Sequence, residues 1–225
     1  MENEPDKNPG RISVLGDNQI TERVNAIWHE ITQDFNMVYA NMPSKPMKRQ
    51  ELSFHQHVKL LGFLSFDIAE LSGDILEIGV WKGKSLCLLE RCNIGDTRII
   101  GIDPCEIEGQ REELTEFVHK LMPRANILVQ YAERCVPDFL EITRALKLLH
   151  IDGGHLFHNV WLDFLLYSPF VISGGYIVFD DFCDHKHCPE VRPAVESLLR
   201  KGLLLDYDII GVVEGFRGPF VIRKK

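Results

Sequence analysis

Apolar side chains recur at two different spacings along this chain, and the change between them divides it. From Thr21 to Ala40, Val24, Ile27, Trp28, Ile31, Phe35 and Val38 fall three or four apart, which predicts a helix. The stretch "NMPSKPMKR" interrupts it with two prolines. A second helix is expected over Ser53 to Leu71, with Val58, Leu61, Leu64, Ile68 and Leu71 on one face. Residues 1–18, rich in Pro, Gly, Asn and Asp, read as a loose tail.

After "SGD" the apolar runs become short and β-rich: Ile75 to Val80, Arg98 to Asp103, Asn126 to Tyr131, Leu148 to Asp152 and Gly175 to Asp180. Helical segments alternate with them, at Lys84 to Cys92, Glu108 to Leu121, Pro137 to Leu146 and His158 to Val171. Such alternation requires crossover connections and a mostly parallel sheet covered on both faces. A last helix over Pro189 to Lys201 leads into "DYDIIGVVEG" and "FRGPFVIRK", an antiparallel hairpin that closes the sheet. The expected architecture is therefore α/β and doubly wound. An N-terminal tail and helical cap (residues 1–70) precede a sheet domain (residues 71–225).

Composition narrows the class. At 225 residues and 45% hydrophobic content, one sizeable core can be buried. A net charge of −8 without a basic run argues against nucleic acid as a partner. No stretch resembles a signal peptide or a membrane span, so a cytoplasmic protein is expected. Six scattered cysteines suit free thiols in a reducing compartment. "CDHKHC" (Cys183 to Cys188) has the look of a zinc knuckle, but it lacks a second spaced ligand pair and reads as a polar loop.

In a doubly wound sheet, ligands bind beyond the carboxyl ends of the strands. The first strand runs into "LEIGVWKGKS", where Gly79 and Gly83 permit a tight turn and a close backbone approach. The spacing is not that of a dinucleotide fingerprint, and Glu77 disfavours a pyrophosphate while suiting a cationic ligand. Glu77, Gly79, Gly83 and Ser85 are the candidate contacts in this turn. Asp103, ending the second strand, can accept hydrogen bonds from a ribose diol. Ala132 and Glu133, after the third strand, would border an adenine.

Asp152 ends the fourth strand and Asp180–Asp181 the fifth. Their 28-residue separation is what one βαβ crossover needs to set the two tips side by side. Converging carboxylates repel one another, and a hard dication such as Mg²⁺ relieves that repulsion. His155 lies three residues past Asp152, where an imidazole can accept a proton. His150 reads as a packed core histidine, and His158 as a helix start.

Together these features resemble the class I S-adenosylmethionine-dependent methyltransferases. "HIDGGHLFHNVWLDF" and "SGGYIVFDDF" are similar to the signature of the macrocin O-methyltransferase (TylF-type) group, and the likeness runs from about Ser53 to the C-terminus. The resemblance implies a Rossmann-like sheet, S-adenosylmethionine as methyl donor and commonly Mg²⁺. It also implies a metal on Asp152, Asp180 and Asp181, with Asp152 bordering the donor, and His155 as base. The acceptor would be a small molecule, a sugar or vicinal diol of a natural product, and the apolar helical faces make a homo-oligomer the expected assembly. Rival readings are an NAD(P)-dependent reductase, a metal-dependent oxygenase and a non-catalytic binding module. The reductase lacks its glycine fingerprint, and the oxygenase leaves the Gly79/Gly83 turn and Asp103 without a role.

Overall fold

The computed structural model describes residues 17–42, 58–93, 95–213 and 217–225. The expected tail, the start of the second helix at Ser53 and the glycine turn of the hairpin lie wholly or mostly outside them. Seven strands form one sheet: β1 (Asp74–Ile78), β2 (Ile99–Ile102), β3 (Ala125–Leu128), β4 (Leu146–Ile151), β5 (Val171–Phe179), β6 (Tyr207–Val212) and β7 (Phe220–Lys224). Their order is β3-β2-β1-β4-β5-β7-β6. The first five strands run parallel, and β7 pairs antiparallel with both β5 and β6.

The central strands are buried on both faces, which is why they read as continuous apolar runs rather than alternating ones. One face carries Ile75, Ile99, Leu148, Tyr176 and Val178, packed under α1 (Asn18–Ala40), α2 (Lys59–Asp67), α3 (Lys84–Cys92) and α4 (Gln110–Leu121). The other carries Leu76, Ile100, Leu149, Ile177 and Phe179, packed under α5 (Val136–Ile142), α6 (Phe157–Tyr167) and α7 (Val191–Arg200). The side chain of Asp17 caps α1 by accepting the amides of Gln19 and Ile20. Helix α1 extends the first helical layer: Phe35 stacks on Phe117 of α4 with ring centroids 4.4 Å apart. Its last turn brings Tyr39 to the loop after β1, where the Lys82 ammonium lies 5.6 Å from the ring centroid.

Several boundaries differ from the sequence expectation: the second helix ends at Asp67 rather than Leu71, and β5 begins at Val171 rather than Gly175. The fifth helix stops at Ile142 rather than Leu146, because Leu146 and Lys147 already belong to β4. Helix α6 stops at Tyr167, and Pro169 helps to form a 3₁₀ turn at Ser168–Phe170 before β5 begins at Val171. Strand order reverses between β1 and β4, so the carboxyl ends of these two strands frame the crevice where ligands bind in this architecture.

Candidate active site

The β1 tip is built on main-chain contacts. Gly79 has φ +89°, and its amide donates to the Ile102 carbonyl at 2.8 Å. A Cβ there would sit 1.9 Å from the Asp152 carbonyl oxygen. The space left by the missing side chain is thus taken by the β4 tip itself. Gly83, at φ +84°, starts α3, where a Cβ would meet the Met122 methyl at 2.8 Å. Ser85, one residue into α3, is half-buried.

Asp103 is buried against this turn. One oxygen accepts the amides of Val80 and Trp81 at 2.9 and 2.8 Å, and the other accepts the Cys105 amide and the Gln110 side-chain amide at 2.7 and 2.9 Å. All four lone-pair positions of the carboxylate are therefore used by protein donors. Beyond β3, Ala132 is buried and its carbonyl accepts the Tyr167 hydroxyl at 2.7 Å, while Glu133 is exposed.

Asp163 of α6 faces the Gly153 backbone, since a Cβ on Gly153 would stand 3.1 Å from its Oδ2. Burial, with Glu133 nearby, holds the Asp163 carboxyl up at about 7. Its folded pKa lies above the unfolded one, so the stabilisation is complete under acid conditions and is lost as pH rises through about 7. Asp163→Asn is expected to raise stability at pH 8 by about 2 kcal/mol and to change little at pH 4. Urea denaturation at the two pH values measures this.

The β4 and β5 tips gather the acidic rim, but in two groups. His150, Asp152 and Asp180 place one donor atom each within 4.8 Å of one another, and so do His155, Asp181 and Cys188. Asp180 and Asp181 diverge because Asp181 adopts φ +55°, in the left-handed region, with its amide donating to Asp180 Oδ1 at 2.9 Å. The Asp181 carboxylate then meets the Cys188 thiol at 3.2 Å, His155 Nε2 at 3.2 Å and Arg217 Nε at 3.6 Å. The three predicted aspartates are neighbours but do not converge on one point. His155 links the groups, its Nε2 also standing 3.7 Å from Asp152 Oδ1.

Electrostatics at the rim follow from this crowding. Burial and the charge of Asp180 push the Asp152 carboxyl up to about 7, against the pull of His155. The Asp152 carboxylate, as acceptor for the imidazole N–H, raises the His155 pKa, partly opposed by burial. Burial pushes the Cys188 thiol up to about 12, with the Asp181 carboxylate adding to it.

His150 does more than pack. It is buried in β4 beside Glu77 of β1, its Nδ1 lies 2.8 Å from Glu77 Oε1, and its Nε2 lies 3.5 Å from Asp180 Oδ2. Burial opposes its charging, yet the two carboxylates hold its pKa well above the ordinary histidine value. Glu77 is therefore turned into the sheet, and its second oxygen is buried without a hydrogen-bond partner. Sequence reasoning missed this bridge. A histidine and a glutamate at the interiors of two buried strands were the available signal.

The "CDHKHC" segment is a folded turn around a buried Asp184. That carboxylate accepts the amides of Lys186 and His187 and meets Arg217 Nε at 3.1 Å. Burial works against its charge, but the His187 amide and ring and the Lys186 amide hold it down at about 2. Cys183 and Cys188 point to different partners, the Val213 carbonyl and Asp181.

A family model described as "Methyltransferase domain" matches residues 76–182. An uncharacterized protein, R132 of Acanthamoeba polyphaga mimivirus, is 35% identical over 152 residues, covering 65% of this chain and 68% of that protein. Among solved structures, the O-methyltransferase NovP superposes with a TM-score of 0.65 at 17% identity, covering 92% of this chain and 99% of its own. CalS11, a TDP-rhamnose 3'-O-methyltransferase of calicheamicin biosynthesis, gives 0.59 at 19% identity, covering 87% and 93%. At these identities the two structures establish a shared fold. Among the described residues, no helix is long and apolar enough to cross a membrane.

Proposed function

We propose that this chain, whose residues 76–182 match a methyltransferase-domain model, is a class I S-adenosylmethionine-dependent methyltransferase that methylates a hydroxyl of a small molecule, a sugar or vicinal diol of a natural product, in the cytoplasm. A macrocin-type, divalent-metal-dependent site would lie at the β4 and β5 tips. The observation that carries this reading is the meeting of Asp152, His155, Asp180 and Asp181 on one rim, beside the switch point next to β1.

The donor set fits a dication: two carboxylates of one cluster, Asp152 and Asp180, stand close enough to repel, and Asp181 borders them. A bound dication would lower the pKa of a coordinated hydroxyl, as it does for water. His155, with 42% of its side chain exposed, is the group placed to take the acceptor's proton. Asp152 and Asp181 both face its Nε2, at 3.7 and 3.2 Å, and so fix where that nitrogen points. His155→Ala is expected to reduce turnover by about a hundredfold or more while S-adenosylhomocysteine affinity persists. Unchanged turnover would assign the base elsewhere.

Donor contacts are assigned to the β1 tip, with Gly79, Gly83 and Ser85 beside the methionine end and Ala132 and Glu133 beside the adenine. Asp103 is the ribose partner in this reading. Since its lone pairs are filled, a ribose hydroxyl must replace one protein donor, and the Gln110 amide is the one that a side-chain rotation withdraws. Asp103→Ala should weaken S-adenosylhomocysteine binding by about tenfold in calorimetry and also lower the melting temperature, since the Val80, Trp81 and Cys105 amides lose their acceptor. Gln110→Ala should leave the affinity within about threefold.

The whole reading is tested by labelled methyl transfer to a panel of sugars and diols. Transfer that stops in EDTA and returns with Mg²⁺ or Mn²⁺ supports it. Full activity in chelator removes the metal, and absence of S-adenosylhomocysteine binding removes the donor.

A further inference from the structure

Asp181 is held away from the cluster formed by its two aspartate neighbours. Its oxygens are engaged by Cys188, His155 and Arg217, and Arg217 is in turn anchored on Asp184. What faces Asp152 and Asp180 in its place is an imidazole. His150 Nε2 stands 3.5 Å from Asp180 Oδ2, and donor atoms of all three residues lie within 4.8 Å of one another. Ligands bound to one cation at about 2.0–2.2 Å are themselves about 3.0–3.5 Å apart, which the His150–Asp180 pair already approaches, so the cluster draws together on binding. The other ring nitrogen, Nδ1, is 2.8 Å from Glu77 Oε1. Donation of its N–H to a buried carboxylate is how metal-binding imidazoles are oriented, because it presents the Nε2 lone pair outward. Glu77 is fully buried in the sheet, where His150 is the partner of one of its oxygens. Asp152, with 30% of its side chain exposed, leaves the cluster open to solvent and so provides an entry path.

We propose that His150 is a direct nitrogen ligand of the cation at this rim, completing a His150–Asp152–Asp180 set oriented by Glu77, so that the site takes a transition-metal dication in preference to Mg²⁺. The inference rests on the reading of a cation at the β4 and β5 tips and specifies its class. Imidazole suits zinc, copper, iron and nickel, whereas Mg²⁺ favours carboxylate, carbonyl and water oxygens.

The test uses Mn²⁺ alone with the full chain, without donor or acceptor. Pulsed electron paramagnetic resonance on the bound Mn²⁺ should show a ¹⁴N coupling from a coordinated imidazole, replaced by the ¹⁵N pattern on histidine-selective labelling. The coupling should persist in His155→Gln and vanish in His150→Gln, with Mn²⁺ affinity falling by about ten- to a hundredfold in the latter. Should His150→Gln not fold, the wild-type and His155→Gln spectra still assign the nitrogen. Bound Mn²⁺ without nitrogen coupling, or coupling lost in His155→Gln, overturns the His150 assignment and leaves the metal reading intact. Failure of Mn²⁺ to bind at all overturns both. Methyl transfer by itself is not the readout, so the donor chemistry stands or falls separately through S-adenosylhomocysteine calorimetry.

Discussion

Asp180→Asn should lower methyl transfer by about a thousandfold, equivalent to ~4 kcal/mol of activation free energy, while S-adenosylhomocysteine affinity changes by less than about threefold. Asp180 is buried at the end of β5, its Oδ1 accepts the Asp181 amide, and its Oδ2 faces His150 Nε2. Asparagine keeps the shape and can keep the Oδ1 acceptor, so the left-handed turn at Asp181 is preserved. What is removed is one negative charge from a cluster whose remaining carboxylate, Asp152, is partly open to solvent. Loss of that charge weakens cation binding and leaves His150 with Glu77 as its carboxylate partner. Labelled transfer to the best acceptor of the panel, alongside calorimetry, measures both quantities. A variant with wild-type turnover would place the chemistry away from the β5 tip.

Gly79→Ala should destabilise the protein by about 4 kcal/mol or more, among the largest effects expected of a single methyl group. Two costs combine. A residue other than glycine at φ +89° is disfavoured by about 1–2 kcal/mol. The new Cβ would also fall 1.9 Å from the Asp152 carbonyl oxygen, and that neighbour is backbone. Either β1 or β4 must move, and with it Asp152 and the hydrogen bond from its amide to Ile78. Gly83→Ala provides the contrast. Its φ is similar, but its Cβ would meet the Met122 methyl, which can swing aside. A loss of about 1–2 kcal/mol is expected there. Chemical denaturation of the two variants separates the terms, and equal losses would show that the β1–β4 contact is not the tight one.

Local pattern carried a long way in this chain. The period of Val24, Trp28, Ile31 and Phe35 is the buried face of α1 as observed, and α3 begins and ends where its apolar spacing and Gly83 place it. The strand tips bearing Asp103, Asp152 and Asp180 were legible because buried parallel strands show as unbroken apolar runs. Boundaries were lost where one residue spoke against its setting. Lys147 lies in β4 despite its charge, and Pro169 converts the end of a helical run into a 3₁₀ turn.

The nearness of Asp152 and Asp180 follows from the length of one crossover, and the chain alone contains that information. How the charges pair at the rim does not follow from any spacing. Glu77 meets His150 across 73 residues because β1 and β4 lie side by side in the sheet order. Arg217 reaches Asp181 and Asp184 from the segment leading into β7, which inserts between β5 and β6. Periodicity records which side chains are buried, a property of each element on its own. Which buried charge finds which partner depends on strand neighbours and on backbone rotation at a single residue such as Asp181, and these exist only once the sheet has assembled.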